Sequence, residues 1–148
     1  MNNSLSTINF HKHDVSFILK EKLLLKTFLT SILSQEKVLF KSISYIFCND
    51  EFLLKLNQQY LNHDTLTDIL TFTLSNSTVP LVSEIYISIE RVEENAANLN
   101  IPFLTELYRV MIHGVLHLCG YSDHSDSEKL IMRQKEDFYL KQLLTCFP

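Results

Sequence analysis

Along residues 38–48 (VLFKSISYIFC) the side chains alternate: Ile43, Tyr45 and Phe47 fall on one side, Ser42, Ser44 and Ile46 on the other. A period of two predicts a strand with one buried face. Residues 68–74 (DILTFTL) and 81–88 (LVSEIYIS) are rich in β-branched and aromatic residues and predict two more strands, with a polar turn around Ser75–Thr78 between them. Residues 4–10 (SLSTINF) predict a short first strand. Elsewhere the period is helical. Phe17, Leu24 and Phe28, with Leu25, Leu29 and Ile32, recur at three- and four-residue steps and predict a helix over 16–34. Asn49 is placed as an N-cap, followed by Asp50 and Glu51 where a helix dipole favours negative charge, and Phe52, Leu53, Leu56 and Tyr60 form that helix's apolar face. Ser88 caps a helix reaching about Leu99, and Pro102 suits the first turn of another that runs to Cys119. Ser125-Asp126-Ser127-Glu128 reads as a capping box for a last helix ending near Thr145.

Strands come mostly first and helices last. The pattern predicts an α+β fold: a small mixed four-stranded sheet packed with about five helices, in a single domain over residues 1–148.

Composition narrows the function classes. Hydrophobic residues make up 46% and charged residues 20%, a globular balance. The net charge of −4 disfavours a protein that coats nucleic acid by charge alone, although Lys12, Lys20, Lys22 and Lys26 fall close together. The plainer reading of those lysines is a solvated face. Three cysteines with no CxxC spacing read as thiols in a reducing compartment. The N-terminus has neither a basic nor an apolar signal region, and no apolar run is long enough to span a bilayer, so the expected location is cytoplasmic.

Candidate chemistry lies in residues 113–124, HGVLHLCGYSDH. Histidines four apart on a helix share one face, so the imidazoles of His113 and His117 can reach one metal ion. A third ligand requires the chain to reverse, and Gly120 can take the left-handed conformation that a reversal needs. Spacing in the H-E-x-x-H-x-x-G-x-x-H pattern puts the third ligand at Asp123; ligand type points one residue on, to His124. Spacing makes Asp123 the preferred choice. Metallopeptidases of that pattern carry Glu as general base where this chain has Gly114. A mid-helix glycine costs about 1 kcal/mol against alanine, which implies a close backbone approach or room for substrate beside the metal.

The same residues resemble the H-G-x-L-H-L-x-G-Y-D-H signature of the YbeY family of metal-dependent endoribonucleases. Thr67-Asp68-Ile69-Leu70-Thr71-Phe72 is similar to its T-D-V-L-S-F strand, Ser83-Glu84-Ile85-Tyr86-Ile87-Ser88 to its G-D-I-x-I-S strand, and Met132, Arg133 and Glu136 to the run after the metal site. The resemblance implies an α+β fold, one Zn²⁺ held by three side chains with His113 and His117 among them, and cleavage of single-stranded RNA. It further implies a place in ribosomal RNA maturation, chiefly at the small-subunit 3′ end, and in ribosome quality control, with ribosomal RNA and ribosome-associated proteins as partners.

Three departures stand out. Asp123 occupies the place of the family's third histidine. Tyr60-Leu61 replaces a Tyr-Arg pair whose guanidinium suits phosphate, with His63 the nearest substitute. Ser83-Glu84 replaces Gly-Asp. Asp68 and Glu84 are candidates to orient a ligand histidine from behind. The general base is left between a metal-activated water and the RNA 2′-hydroxyl. Two further readings stay open: a non-catalytic, metal-containing RNA- or ribosome-binding factor, and a metallopeptidase.

Overall fold

The computed structural model describes residues 6–75 and 80–147. The chain runs β1 (Thr7–Lys12), α1 (Lys22–Gln35), β2 (Phe40–Cys48), α2 (Asp50–Leu61), β3 (Ile69–Thr73), β4 (Leu81–Ser88), α3 (Ile89–Leu99), α4 (Phe103–Leu118) and α5 (Asp126–Thr145). Its order of strands and helices is the expected one. Part of the predicted turn around Ser75–Thr78, and the start of the predicted first strand, lie outside the described residues.

The caps fall where the side chains call for them. Asn49 accepts the Phe52 N–H, Ser88 accepts the Arg91 N–H, and Ser125 and Glu128 close a reciprocal capping box. Pro102 stands at the N-cap of α4 rather than inside its first turn.

One boundary is corrected. The helix predicted over 16–34 begins only at Lys22, after a left-handed Glu21 that makes no side-chain cap. Residues 15–20 run extended: Val15, Phe17 and Leu19 turn inward, while Ser16, Ile18 and Lys20 are exposed. Phe17 meets Phe47 and Phe103 edge-on. The apolar but exposed Ile18 conceals this period of two in the sequence. The first strand likewise sits later than predicted, ending at Lys12, because its ladder to β2 continues through His11 and Lys12.

The sheet has the order β1-β2-β4-β3. β1 and β4 both pair parallel to β2, and β3 pairs antiparallel to β4 at the edge. Ile43, Tyr45, Phe47, Ile85 and Ile87 form the face that packs with α1, α4 and α5 in the main core. The other face is covered by α2, where Leu53 joins Cys48 and Leu70 with Phe52, Leu56, Phe72 and Tyr86 around them. α4 therefore lies buried between the sheet and α5. The Tyr45 hydroxyl donates to the Met111 carbonyl at 2.7 Å, pinning the middle of α4 to the sheet just before His113.

Gly114 explains how close that packing is. A Cβ built there would stand 3.0 Å from Ile69 Cδ1 and 3.1 Å from Ile85 Cγ2. The glycine lets α4 approach β3 and β4, and position 114 faces the sheet. Of the two reasons the sequence offered for this glycine, the structure shows the close approach. Among the described residues, no helix is long and apolar enough to cross a membrane.

Candidate metal centre

His113 and His117 stand one turn apart on a half-buried side of α4, their ring centroids 4.5 Å apart. The helix then ends in a two-bond reversal. The Gly120 N–H donates to the His117 carbonyl at 3.0 Å and the Tyr121 N–H to the Leu116 carbonyl at 3.1 Å. This is the Schellman pattern, with glycine at the left-handed position, φ 99°. The reversal has two effects. It turns the Tyr121 carbonyl onto His117 Nδ1 at 2.9 Å, and two residues later it delivers Asp123. Asp123 Oδ2 lies 3.4 Å from Nε2 of His113 and 3.4 Å from Nε2 of His117. The ligand atoms of these three residues all lie within 4.8 Å of one another.

A carbonyl oxygen can only accept, so in neutral His117 the proton sits on Nδ1 and the Nε2 lone pair faces Asp123. His113 is arranged alike: its Nδ1 stands 2.5 Å from the Glu136 carboxylate. Two imidazole lone pairs and a carboxylate thus converge with no donor among them, an arrangement that calls for a cation. Zinc fits by size. Donors about 2.0–2.2 Å from a tetrahedral Zn²⁺ stand about 3.3–3.6 Å from each other. Two of the three donor–donor edges, the imidazole–carboxylate separations of 3.4 Å, fall in that range, and the third is within 4.8 Å.

Behind His113 lies a charged network inside the protein. Glu136 accepts from His113 and, at 2.8 Å, from Arg109 Nη1; the Nε and Nη2 of Arg109 grip both oxygens of Glu106. Glu106 is fully buried and Glu136 is 2% exposed. Burial by itself pushes the Glu136 carboxyl up, but the hydrogen bond and charge of His113 and the Arg109 guanidinium together hold it below the usual carboxylate range. Arg133 Nε also stands 3.8 Å from Glu136 Oε1, so Glu136 is paired with guanidinium groups from both α4 and α5.

The centre opens into a cleft of about 850 Å³, lined among others by Leu61, Thr67, Asp68, Thr71, Thr73, Arg109, Asp123 and His124. Burial pushes the Asp68 carboxyl above the usual range, against the pull of Arg109 and His113. Its side-chain partner is a long contact of 3.4 Å from Asn95 Nδ2.

Of the candidates from the sequence, the structure brings His113, His117 and Asp123 together. His124 lines the cleft but stands outside the donor cluster. His63 does neither; its N–H closes the end of α2 on the Asn57 carbonyl at 3.2 Å. Glu84 lies on the α2 face of the sheet, alternating with Ser83 and Ile85, and accepts the Tyr86 hydroxyl at 2.8 Å. Neither Asp68 nor Glu84 hydrogen-bonds to His113 or His117. Glu136 and the Tyr121 carbonyl do so instead. The network of Glu106 and Arg109 went unread, although a signal exists: both share the helix face of His113, at steps of seven and four, in an otherwise apolar helix.

The sequence also matches known proteins. The family model described as Endoribonuclease YbeY matches residues 7–144. A protein named Endoribonuclease YbeY from Flavobacterium psychrophilum is 50% identical over 129 residues, 87% of this chain and 91% of its own. One of the same name from Amoebophilus asiaticus is 43% identical over 91% of this chain and 92% of its own. Among solved structures, the solution structure of TM1509 from Thermotoga maritima is similar with a TM-score of 0.63 and 33% identity, covering 92% of this chain and 88% of that one.

Proposed function

The chain belongs to the YbeY family of endoribonucleases, and from that premise we propose a zinc-dependent, single-strand-specific endoribonuclease that matures ribosomal RNA. The reaction class, hydrolysis within an RNA chain, comes with the family. The proposal adds the ion, one Zn²⁺ on His113, His117 and Asp123, and the setting: the small-subunit 3′ end and ribosome quality control, in the cytoplasm, with ribosomal RNA and ribosome-associated proteins as partners. The observation that carries the metal reading is the convergence of two Nε2 atoms and one carboxylate oxygen at 3.4 Å with no proton to share.

When bound, Zn²⁺ would polarise a phosphoryl oxygen and bring the pKa of water to about 7. The chain's own residues hold the rest. Glu136 and the Tyr121 carbonyl keep the Nδ1 protons of His113 and His117 in place, so both Nε2 lone pairs stay free. Asp123 supplies negative charge and leaves the cleft side open, as catalytic sites with three protein ligands do. Thr67, Thr71 and Thr73 line the cleft and offer hydroxyls to an RNA backbone. The two other readings lose support. Family membership favours an enzyme over a non-catalytic binder, and a peptidase would need a base at position 114, which faces Ile69 and Ile85.

Elemental analysis of the wild type and of His117→Ala, Asp123→Ala and His124→Ala, each assayed on single-stranded RNA, tests the proposal. Stoichiometric zinc is expected in the wild type and in His124→Ala. It is expected to be lost, together with cleavage, in the other two. A wild type that takes up no metal even when zinc is supplied would sink the proposal.

A further inference from the structure

We infer that Glu36, which does not line the cleft, is a positioning residue for the metal centre and acts through Tyr121. The inference rests on the metal reading above. Glu36 closes the C-terminal end of α1. Its Oε1 accepts the Tyr121 hydroxyl at 2.8 Å, across 85 positions of sequence. Its Oε2 accepts Lys135 Nζ at 3.1 Å and the Tyr139 hydroxyl, both from α5. Lys135 also stands 5.4 Å from the centroid of the Tyr121 ring.

Tyr121 is therefore held at four points. Its phenol is tied to Glu36, its ring lies against Lys135, its N–H is bonded to Leu116 and its carbonyl to His117. Only the last contact reaches the metal centre, and it sets which nitrogen of His117 carries the proton. The helix-end bonds fix the N–H side of Tyr121. The side-chain clamp fixes the other degree of freedom, the turn of the residue that would swing its carbonyl off the imidazole and carry Asp123 away. The ordering cost is thus incurred on folding rather than on metal binding, which is what preorganisation means. The charged form of Glu36 is the one held. Burial pushes its carboxyl up, but hydrogen bonds from Tyr139, Tyr121 and Lys135 bring it below the usual range.

The test uses the full chain as wild type, Tyr121→Phe, Glu36→Ala and Glu36→Gln. Zinc affinity is read by competition with a chromophoric chelator. The metal-free proteins are melted, and the His117 tautomer is read in them by ¹⁵N NMR of the imidazole. Direct partners of ligands are worth 10–100-fold in affinity, so one link further out Tyr121→Phe and Glu36→Ala are expected to weaken zinc binding by about five- to twentyfold. Both are also expected to mix the tautomers of His117. Glu36→Gln keeps an acceptor for the Tyr121 hydroxyl, its NH₂ can donate to the Tyr139 phenol oxygen while the part-exposed Lys135 turns to water, and it is expected to return affinity to within about threefold of wild type. If melting temperature falls while zinc affinity and tautomer stay at wild-type values, Glu36 merely joins α1 to α5 and the inference is overturned. If the wild type binds no zinc, the metal reading fails, and the tautomer measurement still decides whether the clamp acts on His117.

Discussion

Replacing Glu136 by glutamine changes one atom and strands a donor. Glu136 Oε1 receives Arg109 Nη1 at 2.8 Å and Oε2 receives His113 Nδ1 at 2.5 Å, so both oxygens accept. Glutamine offers one oxygen and one NH₂. If the oxygen faces His113, an Arg109 N–H meets an N–H in a site that is 2% exposed. An unsatisfied buried donor costs about 1–3 kcal/mol. If the NH₂ faces His113 instead, Nδ1 must accept, the ring proton moves to Nε2, and the lone pair that would hold the proposed ion is blocked. Either way the centre suffers. Zinc affinity should fall by about 10–100-fold, or about 1.4–2.8 kcal/mol. The metal-free protein should melt several degrees lower, at about 2–4 °C per kcal/mol for a chain of this size. Chelator competition and a thermal melt on Glu136→Gln measure both. Zinc affinity within about twofold of wild type together with an unchanged melt would refute the reasoning.

Two further outcomes follow from the packing and the charges. Gly114→Ala gains about 1 kcal/mol of helix propensity, but its Cβ would stand 3.0–3.2 Å from Ile69 and Ile85. Overpacking of that kind costs about 1–3 kcal/mol, so urea denaturation should show a net loss of stability, and a clear gain would contradict the close approach. Asp50 accepts Arg91 Nη2 and the Ser88 hydroxyl. Burial raises its carboxyl, but these partners bring it below the usual range. A depressed carboxyl stabilises the fold above its unfolded pKa, and that share is lost as pH falls through the folded value. Asp50→Asn should therefore be less stable at neutral pH and lose less on acidification below about pH 4; parallel acid-unfolding curves for the two proteins would exclude a stabilising ion pair.

What the sequence revealed follows from where each signal is local. Caps at Asn49, Ser88 and Ser125 are short-range hydrogen bonds, and they appeared where their side chains predicted. His113, His117, Gly120 and Asp123 were legible because helix period and glycine reversal are local geometry. Spacing favours Asp123, and Asp123 rather than His124 lies with the two histidines. The start of α1 was misread because Ile18 interrupts the polar side of an extended segment and Glu21 makes no cap. The roles of Glu136 and Glu36 could not be read, since each is defined by partners on other elements, whereas Arg109 left a signal in its shared helix face with Glu106 and His113. Glu84 was drawn to the site by its place in a motif, but strand alternation sets it on the opposite face from α4.

All three donors fall within one stretch of chain, from His113 to Asp123. The loop that the proposed ion would close there is short, so its closure entropy would be small even before the sheet has assembled. A chain able to hold such an ion while unfolded would share it with the native state, and ligand linkage would then return less stability than a centre built from distant strands. During synthesis from the N-terminus, β1 to β4 and the whole donor stretch precede α5. Glu136 arrives last, as the lock on a centre whose donors are already together.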